Sequence, residues 1–182
     1  MRVKLALTTL LVFSLAVFGS ISETLAWTAK EIDAGIKPSL EKLKNIKGGN
    51  TVLKKAAGLL VFPAVFKAGI GLGGEYGEGA LLIRGKTVDY YSTAAASIGF
   101  QLGAQKKTVI IAFMDKDALK DFRNSEGWKV GADASITVVT VGADGSIDTA
   151  KTNKPIVAFV FDQKGLMYNL TLEGAKITKL KR

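Results

Sequence analysis

The chain has 182 residues, 25 Lys and Arg against 16 Asp and Glu, a formal net charge of +9, and neither His nor Cys. Without Cys there is no disulfide framework, thiolate metal site or thiol nucleophile. Without His there is no imidazole base for a Ser-His-Asp triad and no facial iron triad. A hydrophobic content of 48% with 3 Pro excludes a disordered chain and predicts one domain with a buried core.

The chain opens on a short basic start, Met1-Arg2-Val3-Lys4, followed by an apolar run from Leu5 to Gly19 and polar residues at Ser20, Ser22 and Glu23. Thr24 and Ala26 then supply small residues at the −3 and −1 positions of a cleavage site. This is the layout of a secretory signal peptide, and it predicts residues 1–26 as a leader cleaved after Ala26. The run falls short of the roughly 20 apolar residues of a spanning helix, which leaves an uncleaved anchor as the lesser alternative. With no Cys near the cleavage point, a lipid-anchored lipoprotein is excluded. Residues 27–182 are expected to form a single exported domain, soluble or peripheral, with a helical segment at 27–57 and a β-rich core at 58–182.

The segment Trp27 to Lys67 carries eight Lys against three acids, so the positive excess is concentrated near its start. Such an excess favours an anionic partner or serves plain solubility. Ile32, Ile36, Leu40, Leu43 and Ile46 recur at spacings of 4, 4, 3 and 3, one helical stripe. Lys30, Lys37 and Lys44 are seven apart and form a second line beside it. Pro38 in the middle predicts two short helices or a kink. Gly48-Gly49 stops the helix, and Asn50 is a cap candidate for a further turn through Ala57. The stripe suits either a membrane surface, with lysines at the headgroups, or packing on the domain's own sheet.

From Gly58 the apolar period becomes two. Leu59 to Phe62 is expected as a strand closed by Pro63, followed by a glycine-dense stretch from Gly69 to Gly79. Strands are expected at Ala80 to Ile83, Thr87 to Tyr91, Ser97 to Gly103, Lys107 to Met114, Ser135 to Val141, Ile156 to Phe161, Leu166 to Leu172 and Ile177 to Leu180. Turns are marked by Arg84-Gly85-Lys86, Asp144-Gly145 and Asp162 to Gly165, and Asp115 is a cap candidate for a short helix over 116–123. The expected class is α+β: a mostly antiparallel, glycine-rich β-sheet, closed or half-closed into a barrel, with N-terminal helices and that one short helix.

Several motifs suggest chemistry. Gly69-Ile-Gly71-Leu-Gly-Gly74 fits G-x-G-x-x-G, but Gly77 and Gly79 interrupt the helix a dinucleotide needs there, and Glu75 and Glu78 would repel phosphate. Alternating glycines instead let another element approach one strand face. Gly79 to Thr87 imitates a P-loop with one residue too many between its glycines, and it reads as strand, turn, strand. Glu75, Glu78 and Asp89 form the best carboxylate group for acid/base or metal work. Solvated or Lys-paired strand charges are the alternative. Ser92 or Thr93 as a nucleophile would need a Lys base, and a strand-end hydroxyl bonded to its own backbone is the alternative. Asn169-Leu170-Thr171 is a formal glycosylation sequon inside an expected strand. No nucleic-acid motif is present and Arg is scarce beside Lys, so no nucleic-acid partner is expected. No metal site, cofactor or catalytic residue is assigned.

Three stretches carry a family resemblance: Gly58-Leu-Leu-Val-Phe-Pro-Ala-Val-Phe-Lys-Ala-Gly69, Gly73-Gly-Glu-Tyr-Gly-Glu-Gly79, and Tyr90-Tyr-Ser-Thr-Ala-Ala-Ala-Ser-Ile-Gly-Phe-Gln-Leu-Gly-Ala-Gln105. With Glu126-Gly-Trp-Lys-Val-Gly131, Phe161-Asp-Gln-Lys-Gly-Leu-Met167 and Leu172 to Lys179, in that order, the chain resembles the SYLF domain family. The resemblance implies a non-enzymatic domain linked to phosphoinositide and lipid binding and, in yeast actin-patch members, to actin filaments. In eukaryotic members an N-terminal amphipathic helix contributes to membrane contact, and Trp27 to Ala57 occupies that place here. The family also occurs in exported bacterial proteins, and the SH3 domain of eukaryotic relatives is not in this sequence, which argues against an actin role.

The expectation is an exported protein of a bacterial periplasm or cell envelope that binds anionic phospholipid or a membrane surface. Trp27 would sit at the interface, and Lys30, Lys37, Lys44, Lys47, Lys54 and Lys55 would meet lipid phosphates. A structural or protein-partner-binding envelope protein is the alternative, and a weak carboxylate-based hydrolase a further one.

Overall fold

The computed structural model describes residues 26–99, 105–139, 147, 151–161, 172 and 174–182. Two long strands make the frame. β1 (Gly58–Ile83) and β2 (Lys86–Gly99) form a hairpin turned by Arg84 (φ 52°) and Gly85 (φ 75°). Positive φ at both central residues is the mark of a type I′ turn, whose twist suits the strands it joins. β3 (Gln105–Phe113) pairs with the first half of β1, Gly58 opposite Phe113 and Lys67 opposite Gln105. β2 pairs with the second half, Gly71 opposite Gly99 and Ile83 opposite Lys86.

Between these halves β1 doubles back on itself, and glycine permits it. A Cβ on Gly77 would lie 2.6 Å from the Ala64 carbonyl oxygen and 2.9 Å from Val65 Cα. One on Gly79 would fall on the Val61 carbonyl oxygen, 2.7 Å from Phe62 Cδ1. Only hydrogen fits at either position.

The sheet has seven strands in the order β4-β7-β2-β1-β3-β6-β5. β4 (Trp128–Lys129), β6 (Ile156–Phe161) and β7 (Lys176–Leu180) join antiparallel, and β5 (Thr137–Val138) runs parallel to β6. The result is the expected α+β class, a mostly antiparallel sheet curled into a half-barrel.

Both faces of the sheet are covered. Ile156, Ala158 and Val160 of β6 join one core with Leu60, Leu81, Ile111, Phe113, Trp128 and Ile177, closed by Leu119 and Phe122 of α3 (Lys116–Asn124). Their neighbours Val157, Phe159 and Phe161 join the other core with Val61, Ala80, Leu82 and Ile110. That core is closed by Ile32, Ile36 and Leu43 of α1 (Ala29–Lys44) and Val52 of α2 (Gly49–Lys55). A strand buried on both faces reads as a continuous apolar run, as Ile-Val-Ala-Phe-Val-Phe does. α3 starts where the sequence predicts: the Asp115 carboxylate accepts the backbone N–H groups of Asp117 (2.8 Å) and Ala118 (3.0 Å).

Three expectations are corrected. Pro63 does not end its strand. β1 continues through it, and the pairing register with β3 slips between Phe62 and Val65, a bulge that absorbs the missing N–H. Pro38 does not divide the N-terminal helix: α1 is one helix through it. The lost N–H bond is offset by burial of the stripe and by a capping box. In that box the Glu31 N–H donates to Thr28 Oγ1 (3.2 Å) and the Thr28 N–H donates to the Glu31 carboxylate (2.7 Å). α2 is capped by Gly48 in the left-handed region (φ 94°), not by Asn50.

The leader (1–25), the turns at 144–145 and 162–165, the strand expected at 166–172 apart from Leu172, and the sequon Asn169 lie outside the described residues, as do 100–103 and 140–141 of two expected strands. Among the described residues no helix is long and apolar enough to cross a membrane.

Candidate functional site

α1 decides what the basic segment can offer. Its apolar stripe is spent on the sheet: Ile32 and Leu43 are fully buried and Ile36 nearly so. Lifting α1 off would uncover that stripe and Val61, Ile110 and Phe159 beneath it, at about 1.5–3 kcal/mol per fully buried side chain. Of the two readings the stripe allowed, packing on the sheet is the one realised. Gly35 sets the close fit, since a Cβ there would lie 2.6 Å from Pro63 Cβ. Asp33 ties the other flank of the helix to β2, accepting from Thr87 Oγ1 (3.0 Å) and the Tyr90 hydroxyl (2.8 Å). Burial, with that Asp33 bond, raises the Tyr90 pKa.

The predicted lysines therefore face outward, but not as one patch. Lys30, Lys37, Lys44, Lys47, Lys54 and Lys55 are all exposed. Seven-residue spacing puts Lys30, Lys37 and Lys44 in a row, about 10 Å between neighbours and about 130° round the helix from the buried stripe. Lys44 pairs with Glu41 (3.2 Å). Lys54 and Lys55 lie in the last turn of α2. Lys55 lines a separate cleft of about 810 Å³ with Thr51, Asp115 and Lys154.

A denser cation cluster lies on the other flank of α1, where sequence reasoning assigned only Trp27. A cleft of about 440 Å³ runs between Trp27 and α1 (Glu31, Pro38, Lys42) on one side and the sheet (Pro63, Ala64, Lys106, Lys107, Thr108) on the other. At its mouth Trp27 meets Phe66 edge to face, with centroids 6.1 Å apart and planes at 81°. Phe66 is 43% exposed, and Lys106 Nζ sits 5.8 Å from its ring centroid. Lys42 Nζ donates to Thr108 Oγ1 (3.1 Å), whose hydroxyl donates to the Pro63 carbonyl (3.0 Å). Lys107 Nζ lies 2.5 Å and Lys67 Nζ 3.9 Å from the Glu75 carboxylate. Four lysines thus face two acids, Glu75 and the Glu31 that lines the same cleft, and neither Lys42 nor Lys106 forms an ion pair among the described residues. β1 and β3 build this group by setting Phe66 opposite Lys106 and Val65 opposite Lys107. The pairs Phe66-Lys67 and Lys106-Lys107 were visible in the sequence, but their register across two strands was not.

The carboxylates of the glycine-rich region do not form a common site. Glu75 belongs to Lys107 and Lys67. Asp89 pairs with Lys179 (2.5 Å) and Arg123 (3.5 Å). Glu78, 3% exposed, accepts from Tyr76 OH (2.7 Å), from the Trp27 backbone N–H (2.9 Å) and from Arg182 Nη2 (2.5 Å). Burial first, and then this bond to Glu78, push the Tyr76 pKa to about 12. Each acid is held by its own bases, as the paired-charge alternative has it. Among the described residues no group of three potential ligands is placed to hold a metal ion. Ser92 lies in β2 opposite Glu78 and Thr178 in the strand register. The G-x-G-x-x-G stretch runs inside β1 with no helix after it, and the P-loop mimic is the β1–β2 hairpin.

Residues 94–182 match the model of the Ysc84 family, described as Las17-binding protein actin regulator. That match is consistent with the SYLF domain family. No curated protein matches the chain.

Proposed function

We propose, from the premise that residues 94–182 carry a Ysc84 (SYLF) domain, that this chain binds membrane surfaces rich in anionic phospholipid as an exported bacterial envelope protein. SYLF domains are as a class binding domains, and lipid is one of the partners associated with them. The observation that carries the reading is the mouth of the α1 cleft. There the exposed Phe66 and the Trp27 ring stand beside Lys42, Lys67 and Lys106, with a surplus of positive charge. An aromatic edge suits the headgroup layer, and each lysine near an anionic surface contributes about 1 kcal/mol, weakened by salt. The helix does not insert, because its apolar face is occupied. The row Lys30, Lys37 and Lys44 adds attraction at longer range, with Lys47, Lys54 and Lys55 beyond it.

Vesicle co-sedimentation tests this. Binding is expected to phosphatidylglycerol-containing vesicles at low salt, to fall steeply by 0.5 M salt, and to be absent with phosphatidylcholine alone. Replacing Lys42, Lys67 and Lys106 by Ala removes about 3 kcal/mol, on the order of a 100-fold loss in partitioning. Phe66→Ala should weaken binding while leaving the melting temperature unchanged. Equal binding to neutral and anionic vesicles, or none at low salt, overturns the proposal.

The family's description as a Las17-binding actin regulator favours a second reading, a protein partner. Cross-linking that recovers one stoichiometric envelope protein, with no vesicle binding, would select it.

A further inference from the structure

Glu78 is the most deeply buried charged side chain among the described residues. It lies between Gly77 and Gly79, where β1 meets its own first half, and its partners converge on one point of the backbone. Its Oε2 accepts the Trp27 N–H (2.9 Å) and Arg182 Nη2 (2.5 Å), and its Oε1 accepts Tyr76 OH (2.7 Å). Arg182 Nη1 also donates to the Trp27 carbonyl oxygen. Both backbone polar groups of Trp27, its N–H and its carbonyl oxygen, are thus gripped, one by the carboxylate and one by its guanidinium partner. A backbone N–H held 51 residues away by a buried carboxylate is a costly arrangement for a neutral donor, because Glu78 gives up its hydration to accept it.

Trp27 is also the residue that follows the Thr24-Leu25-Ala26 cleavage pattern. We propose that Glu78 is a binding site for an ammonium group, and that its occupant is the α-amino group of Trp27 released by cleavage after Ala26. The proposal rests on the export reading of the leader and not on lipid binding. In the cleavage, water adds across the Ala26–Trp27 peptide bond in the signal peptidase of the exporting cell. Ala26 leaves as a carboxylate, and the Trp27 nitrogen takes up protons to become an ammonium.

Charge complementarity favours this occupant. Before cleavage the groups around the Trp27 nitrogen are Glu78, Glu31 and Arg182, a net charge of −1, with Tyr76 neutral. After cleavage the same group is neutral. An α-amino group has an ordinary pKa of about 7.7–8.0, so it is charged at neutral pH, and an adjacent carboxylate stabilises that form. The guanidinium of Arg182 and the positive end of α1 oppose it, while Glu31, which caps that same helix end, offsets them. Processing therefore fastens the chain just ahead of α1 to the second half of β1 and holds Trp27 against Phe66. The precursor has only the weaker amide contact.

The test exports the full chain from a bacterial host and identifies the first residue of the mature protein by mass spectrometry. Trp27 is expected, and any other start overturns the proposal at the export step. The mature protein is then compared with its α-acetylated form, which keeps the N–H donor but not the charge. Acetylation is expected to lower the melting temperature by about 4 °C or more, and Glu78→Gln should abolish that difference. Should Glu78→Gln not fold, the wild-type α-amine is titrated with an acylating reagent. It should react at least tenfold more slowly than the amine of a variant starting one residue earlier, at Ala26. Equal melting temperatures with and without acetylation, or an α-amine as reactive as a free peptide's, overturns the proposal at the Glu78 step.

Discussion

The doubling back of β1 can be tested with a single methyl group. In Gly79→Ala the new Cβ would lie 2.7 Å from Phe62 Cδ1, 2.8 Å from the Val61 carbonyl carbon and on top of the Val61 oxygen. Ordinary contact begins at 3.4 Å, so the nearest groups stand at least about 0.6 Å too close. Two of the obstacles are backbone, in a segment paired to β3, so a rotamer change cannot relieve them. Overpacking a core costs about 1–3 kcal/mol, and a backbone obstacle places this case at the upper end. For a domain of this size that corresponds to a fall of roughly 6–12 °C in melting temperature. Gly74→Ala is the internal control, because its Cβ would meet only the Ala95 carbonyl oxygen at 3.8 Å. Its effect should stay within about 0.5 kcal/mol. The assay is thermal unfolding followed by circular dichroism, with Gly77→Ala expected to behave like Gly79→Ala. A Gly79→Ala protein that melts within 1 °C of wild type would refute the close approach, and with it the account of how Glu78 comes to be buried.

Other expectations follow from single groups. The Tyr91 hydroxyl is buried and has no hydrogen-bond partner among the described residues, so Tyr91→Phe should raise stability by about 1 kcal/mol in chemical denaturation. Burial, reinforced by Asp89, also pushes the Tyr91 pKa to about 12. The ionisation of this group therefore leaves stability untouched below the ordinary tyrosine pKa near 10 and lowers it as pH rises from 10 towards 12. Tyr91→Phe should soften that alkaline decline, and absorbance at 295 nm should show late tyrosinate formation in the wild type. Asp115→Ala removes the cap of α3 and should cost about 1 kcal/mol, read as a melting temperature lower by about 2–4 °C.

Local chemistry was legible wherever one residue decides. Asp115 caps its helix, Arg84-Gly85 turns its hairpin, and the unbroken apolar run at 156–161 is a strand covered on both faces. The stripe Ile32, Ile36 and Leu43 was also readable, although the sequence left its partner open between membrane and sheet, and the sheet is what it covers. What stayed hidden depends on register. Glycine at 77 and 79 announces close approach, but not that β1 approaches itself. Pro38 and Pro63 carry a local penalty that pattern reading treats as a stop, yet burial of α1 and a bulge in β1 outweigh it. The candidate site was half legible for the same reason. Trp27 stood out as an interfacial residue type, and Lys30, Lys37 and Lys44 by their spacing along one helix. The cluster of Lys42, Lys67, Lys106 and Phe66 exists only because two strands meet at one particular offset.

The hairpin at Arg84-Gly85 has a kinetic consequence. β1 and β2 are neighbours along the chain, and such a turn zips on the microsecond scale once its residues are available. The outer strand β7 must find β2 from more than eighty residues away, Ile177 opposite Thr93, and only then can Trp128 dock beside it. Non-local pairings of this kind are slow because loop closure precedes any reward. Early intermediates are therefore expected to hold a formed ribbon with one bare margin, the state in which a chain is most exposed to joining its neighbours before the last strand arrives.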